Sequence, residues 1–226
     1  MRPQALRPQL KRDPLAAACY AEVRLTDRTN LWRTLDYYDP VKVLRELRVA
    51  ERSLLQTSDR MGISLDPLSL RLRTGPLKPH REWRDVALFA YGMGLSKGIT
   101  IAFAPHEAED YDAVTCWSVD GQAYYCPLQL KELPPADLTL RVTLTGIIAS
   151  LDRYSGPTET VLAIKLSQRP EIPLVDLRLP EIPFAEAYVF WANAPNSESF
   201  IVYGDLKQDP TAFQFPYPTE DPGAAA

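Results

Sequence analysis

The sequence predicts an α/β (α+β) domain built on one mixed β-sheet flanked by helices. Three observations carry this reading. Two long segments before residue 100 place apolar residues at helical spacing. Beyond residue 98, short apolar runs of strand length are bounded by turn residues. From residue 80 the order reads helix, strand, strand, strand, helix, strand, strand, strand, which suits a single mixed sheet.

Residues 1–18 are predicted to be a flexible N-terminus, 19–215 a single domain, and 216–226 a disordered tail. The first helix is DPVKVLRELRVAERSLLQTSD, with Asp39 as its cap and Pro40 at its first position. Val43, Leu47, Ala50 and Leu54 share one face, expected to pack inward. Lys42, Arg45, Arg48 and Arg52 share the other. A solvated charged face accounts for these cations, and a phosphate-facing ridge is the alternative.

A proline-punctuated connector leads to a second helix, HREWRDVALFAYGMGL, with Trp83, Val86, Ala87 and Ala90 on its apolar side. Gly92, Gly94 and Gly98 are read as its end. ITIAFA is a short buried strand, and two further strands flank Asp120-Gly121, a strong hairpin signal. Pro134 and Pro135 ahead of Asp137 suit a helix over 138–154, although its threonines and Val142 lean toward strand. ETVLAIKLS, AYVFWA and SFIVYGDL are strands. Between the first two lies a loop with a ten-residue echo, RPEIPLVDL and LPEIPFAEA, too few copies for a repeat architecture.

At 46% hydrophobic and 24% charged, the 226 residues suit a globular protein able to bury its own core. Three cysteines without a CxxC pair, and only two histidines, argue against a structural zinc site. The basic start has no apolar core of signal-peptide length, and no run approaches 18 apolar residues, so a cytoplasmic location without membrane contact is expected. Net charge is −4, but residues 1–100 hold 18 Lys+Arg against 11 Asp+Glu while 101–226 hold 7 against 18. This asymmetry permits a basic surface on an acidic protein, or opposite charges meeting across the fold.

A two-residue Asp120-Gly121 turn pairs residues whose numbers sum to 241. Asp112 then lies opposite Gln129, and Asp110 opposite Lys131, all four on one sheet face. Tyr111, Ala113 and Trp117 fall on the other face with Leu128 and Leu130. Cys116 pairs with Tyr125, so Cys126 lies on the opposite face and the two cannot readily bridge. Pro127 lacks a ladder donor and is the place where a bulge would slip the register.

A carboxylate, a second oxygen donor and a lysine at close range suit Mg²⁺-assisted hydrolysis. Mg²⁺ prefers oxygen ligands and needs only one or two carboxylates. Asp112, the Gln129 side-chain carbonyl and a nearby backbone carbonyl would supply such ligands. Lys131 would orient water or neutralise developing charge.

Asp112, a hairpin, then Gln129-Leu130-Lys131 resembles the signature of the PD-(D/E)xK, or restriction-endonuclease-like, nucleases. The resemblance covers about residues 80–167, a core with N-terminal helical and C-terminal β elaborations. It implies a metal-dependent DNA endonuclease using Mg²⁺ (or Mn²⁺), with Asp112 and Gln129 as metal ligands and Lys131 assisting water. Glu82, on the preceding helix, is the candidate to complete the site, and Arg45, Arg48 and Arg52 would contact DNA. Tyr111 stands where the family often has proline, and Gln129 where it has an acid. Gln-x-Lys variants occur among active members. The alternative is a catalytically inactive nuclease-fold module binding DNA or protein in a larger complex; the partners expected are DNA and either a second copy of the chain or a partner protein. His106 is read as a loop histidine ahead of the second strand, with a proton shuttle as the alternative role.

Overall fold

A computed structural model describes residues 27–108, 110–138, 141–154, 159–177, 179–193 and 198–219. The N-terminus read as flexible, Cys19 and residues 220–226 lie outside the described residues. Among the described residues the α-helices are α1 (Asp27–Trp32), α2 (Pro40–Met61), α3 (Pro67–Leu70), α4 (Lys78–Lys97) and α5 (Leu144–Ala149). The strands are β1 (Ala102–Ala108), β2 (Tyr111–Val119), β3 (Gln122–Leu133), β4 (Val161–Leu166), β5 (Glu186–Ala192), β6 (Ser199–Gly204) and β7 (Thr211–Pro216). They form one sheet in sequence order. Pairing is antiparallel from β1 to β3, parallel from β3 to β5, and antiparallel from β5 to β7.

The hairpin obeys the 241 sum from Val119↔Gln122 to Ala113↔Leu128. Asp120 (φ 51) and Gly121 (φ 79) both take the left-handed conformation of a two-residue turn. Pro127 causes no slip. In such a hairpin the closing pair exchanges both hydrogen bonds and pairs alternate from there, so Val114↔Pro127 falls at a position where β2 needs no donor.

α4 covers one face of the sheet, where Val86, Ala87, Ala90 and Met93 meet Leu128, Ala163, Phe190 and Phe215. Gly92 and Gly94 sit inside this helix rather than at its end. A side chain at Gly92 would collide with the Phe215 ring at 2.5 Å, and one at Gly94 with the Ile99 carbonyl at 2.8 Å. Gly98, at φ 67, is the cap. α5 and the 172–184 strap cover the other face with Leu144, Ile147, Leu162, Ile164, Ile182 and Phe184. This helix is much shorter than the 138–154 prediction: it is capped by Thr143, whose hydroxyl accepts from the Gly146 N–H, and ends in a 3₁₀ turn at 150–153.

α2 begins as predicted, Asp39 accepting from the Val41 N–H at 2.8 Å. Its packing face differs. Leu44 is buried and Val43 packs beside it, whereas Ala50 is exposed and Leu54 is 57% exposed. Only the first half of α2 meets the core, so the apolar stripe runs on into solvent. Residues 216–219, assigned to a disordered tail, are structured: Tyr217 is buried and donates its hydroxyl to the Leu44 carbonyl at 2.7 Å. Among the described residues, no helix is long and apolar enough to cross a membrane.

Candidate active site

β2 and β3 part company at Asp112. The ladder ends at Ala113↔Leu128, and beyond it β3 runs on beside β4, pairing Gln129 with Leu162 and Lys131 with Ile164. The Leu130 N–H that would have met β2 is instead taken by the Asp112 carboxylate, at 2.7 Å. The same Oδ2 accepts from Gln129 Nε2. Alternation along a strand puts Gln129 and Lys131 on the α5 face. On that face the polar pair lies between two apolar clusters, Leu133, Leu162 and Ile164 on one side and Trp32, Tyr111 and Val114 on the other.

Sequence reasoning missed Tyr154, at the end of the α5 segment. Its hydroxyl donates to Gln129 Oε1 at 2.8 Å and accepts from Arg153 Nη2 at 3.1 Å. Lys131 Nζ stands 5.7 Å from the centre of the same ring. A one-way chain results, Arg153 to Tyr154 to Gln129 to Asp112. The charges at its ends set its direction, since the guanidinium can only donate and the carboxylate can only accept. Gln129 Nε2 also reaches the Leu130 carbonyl at 3.3 Å. The amide nitrogen thus sits between a carboxylate and a backbone carbonyl.

Burial pushes the Asp112 carboxyl above its ordinary range. The Leu130 N–H, Lys131 and Gln129 oppose this, while the nearby Glu107 carboxylate adds to it. Glu107, on β1, is the acid whose field reaches Asp112, and sequence reasoning missed it as well. A bulge in the β1–β2 pairing between Pro105 and Ala108 shifts the register there, which simple alternation could not foresee.

Glu82 is not brought to this cluster. It lies on α4, the helix of the other face, and pairs with Lys78 at 3.5 Å. Asp110 lies in the turn before β2 rather than opposite Lys131. Tyr111 joins Trp32 and Val114, its hydroxyl accepting from Trp32 Nε1 at 3.0 Å, instead of the α4-side core. His106 packs near Tyr111, the ring centres 5.8 Å apart. No disulfide joins Cys116 to Cys126, as the register required.

The arginine ridge is broken. Arg48 turns inward, 14% exposed, bonding Glu198 at 2.7 Å with its guanidinium 4.1 Å above the Tyr217 ring. Arg45 is half-buried, and Arg52 alone of the three is exposed. The inward turn has a plain cause: Tyr217, 169 residues further along the chain, supplies an aromatic face that no helical wheel displays.

Among the described residues, no group of three or more His, Cys, Asp or Glu side chains is placed to hold a metal. The oxygen set at this site is mixed instead: the Asp112 carboxylate, the Gln129 amide and the Leu130 carbonyl. An amide oxygen and nitrogen have the same shape, so half a turn of the Gln129 amide would add its oxygen to those of Asp112 and Leu130. That donor chemistry fits Mg²⁺ or Mn²⁺. Comparison with family models, characterised proteins and solved structures finds no match for this chain.

Proposed function

We propose that the protein is a metal-dependent endonuclease of the PD-(D/E)xK type, hydrolysing DNA phosphodiester bonds at Asp112, Gln129 and Lys131. One observation carries this reading: the Gln129 amide straddles the Asp112 carboxylate and the Leu130 carbonyl, with Lys131 two residues on along the same face. The order α4, β1, β2, β3, α5, β4 also supports it. Asp112, Gln129 and the Leu130 carbonyl would hold Mg²⁺ or Mn²⁺, which when bound polarises the phosphoryl group and makes a water more acidic. Lys131 supplies a positive charge where the phosphate gains negative charge. Tyr154 accommodates either face of the Gln129 amide, because a hydroxyl both donates and accepts.

Titration of Mg²⁺ and Mn²⁺ with plasmid and branched DNA tests the assignment. Asp112→Ala is expected to abolish metal-dependent cleavage and leave DNA binding largely intact. Lys131→Ala should slow cleavage roughly 10²-fold with metal affinity little changed, since the ammonium acts on the transition state. The second reading, an inactive binding module, draws on a specific observation: Gln129 is 3% exposed and hydrogen-bonded at both ends of its amide. Absence of metal binding and cleavage in both the wild type and Gln129→Glu would establish that reading instead.

A further inference from the structure

A groove of about 1290 Å³ opens at the other end of β4, past the carboxyl ends of the parallel strands β4 and β5. α4 contributes Arg84 and Leu88, α2 contributes Arg48, and the far wall is the 167–174 segment with Trp191. We infer that this groove binds a phosphate-bearing ligand. The inference does not depend on the nuclease reading, because none of Asp112, Gln129 or Lys131 lines the groove.

Position is the first argument. Ligands of open α/β sheets bind outside the strands' carboxyl ends, and Leu166 and Ala192, the last residues of β4 and β5, line this groove. Charge is the second and stronger one. Five cations line the groove, Arg48, Arg71, Arg84, Lys165 and Arg169, against the carboxylates of Glu51, Asp137 and Glu171. Those three acids are engaged. Glu171 accepts from the Leu144 and Thr145 N–H groups and the Thr145 hydroxyl, at 2.7–3.0 Å. Asp137 pairs with Arg71 at 2.5 Å, and Glu51 stands 3.9 Å from Arg48, which also holds Glu198.

Arg84, Lys165 and Arg169 remain. Lys165 and Arg84 share a single oxygen of the buried Asp85, at 2.6 and 3.3 Å. Arg169 is exposed and makes no ion pair among the described residues. Glu132, whose field also reaches Lys165, already holds Arg73 and Arg81. Three cations therefore face one carboxylate. A surplus of two positive charges on a concave wall concentrates anions there. A phosphate monoester carries up to two negative charges, and guanidinium groups fit its oxygens in pairs.

The full-length chain should be titrated with inorganic pyrophosphate, a nucleoside 5′-monophosphate, and a short single-stranded oligonucleotide with and without a 5′-phosphate. Saturable binding that weakens with salt is expected for at least one phosphate probe. Arg169→Glu, a change at an exposed position, should weaken it about tenfold or more. Asp112→Ala should bind as the wild type does. Preference for the 5′-phosphorylated strand would identify a nucleic-acid end as the source of the phosphate, and equal competition by pyrophosphate a small free ligand. The inference is overturned if no probe binds saturably, or if Arg169→Glu and Arg84→Gln, each confirmed as folded, bind like the wild type.

Discussion

Two carboxylates of neighbouring strands, Asp112 and Glu132, are both partly buried, yet the protein treats them in opposite ways. Glu132 looks toward α4. Burial pushes its carboxyl up, but Lys165, Arg73 and Ser167 more than reverse this and hold it below its ordinary range. Asp112 looks toward α5. Burial again pushes it up, and Leu130 N–H, Lys131 and a neutral amide do not bring it back. A buried acid surrounded by cations is finished, because its charge is already balanced by the fold. A buried acid left short of positive charge has a use for a cation from outside, which agrees with placing the proposed centre on the α5 side.

The greatest disturbance should come from emptying the balanced side. Lys165 is 11% exposed and stands 2.6 Å from Asp85, itself 2% exposed. Lys165→Met would leave Asp85 buried with only Arg84 beside it, and removing one member of such a pair costs about 3–5 kcal/mol. Chemical denaturation should show a loss near the lower end of that range. Pairing the change with Asp85→Asn should recover much of it, since no uncompensated charge then remains. A loss below about 1 kcal/mol in the single variant would mean that water reaches Asp85, and the contrast between the two faces would weaken.

The two sides also differ in how legible they were. The 241 register followed from Asp120-Gly121 because a two-residue turn leaves little freedom in pairing, and it anticipated the contact of Asp112 with Gln129, although the ladder itself stops at Ala113↔Leu128. The same rule carried past Pro127 because that residue falls at a position needing no donor. Tyr154 and Glu107 were not legible. One depends on where a short helix ends after a crossover, the other on a bulge, and neither distance is written in a local pattern. Arg48 was misread because amphipathic spacing shows which residues share a face, not which distant ring that face will meet. Glu82 was assigned from resemblance alone, and the layer to which α4 belongs sends it elsewhere.

A smaller effect should sharpen the unbalanced side. Gln129→Glu keeps the side-chain shape and adds a second negative charge next to Asp112. The Tyr154 hydroxyl can still donate to it. Without metal the two carboxylates repel, so the variant should unfold more easily at neutral pH than the wild type. With Mg²⁺ or Mn²⁺ it should regain that loss, at metal concentrations about tenfold lower than the wild type requires, equivalent to about 1.4 kcal/mol of binding. Thermal unfolding across a metal titration reads both effects without relying on cleavage. A melting temperature that ignores metal in both proteins would remove the case for a cation at this site.

The smallest expected effect is also the most direct contrast, because it asks for opposite signs at the two acids. Asp112 holds its proton more tightly folded than unfolded, so at neutral pH its ionised form opposes folding. Asp112→Asn keeps an oxygen that can accept from the Leu130 N–H and from Gln129 while removing the charge. It should raise the melting temperature at pH 7 by up to about 2–4 °C, the shift expected for about 1 kcal/mol in a domain of this size. The gain should shrink as pH falls through the raised folded pKa and level off below the ordinary carboxylate value of about 4, where the wild-type acid is protonated folded and unfolded alike. Glu132 behaves in the reverse sense. Its folded carboxyl lies below its unfolded value, so its ionised form favours folding above the unfolded pKa. Glu132→Gln should therefore lower the melting temperature at pH 7, and the deficit should close as pH falls through the depressed folded pKa. Melting curves for the two variants and the wild type between pH 3 and pH 8 should thus converge from opposite sides. If Asp112→Asn instead destabilises at pH 7 and its deficit closes on acidification, Asp112 is balanced like Glu132, and nothing electrostatic distinguishes the proposed centre from an ordinary buried acid.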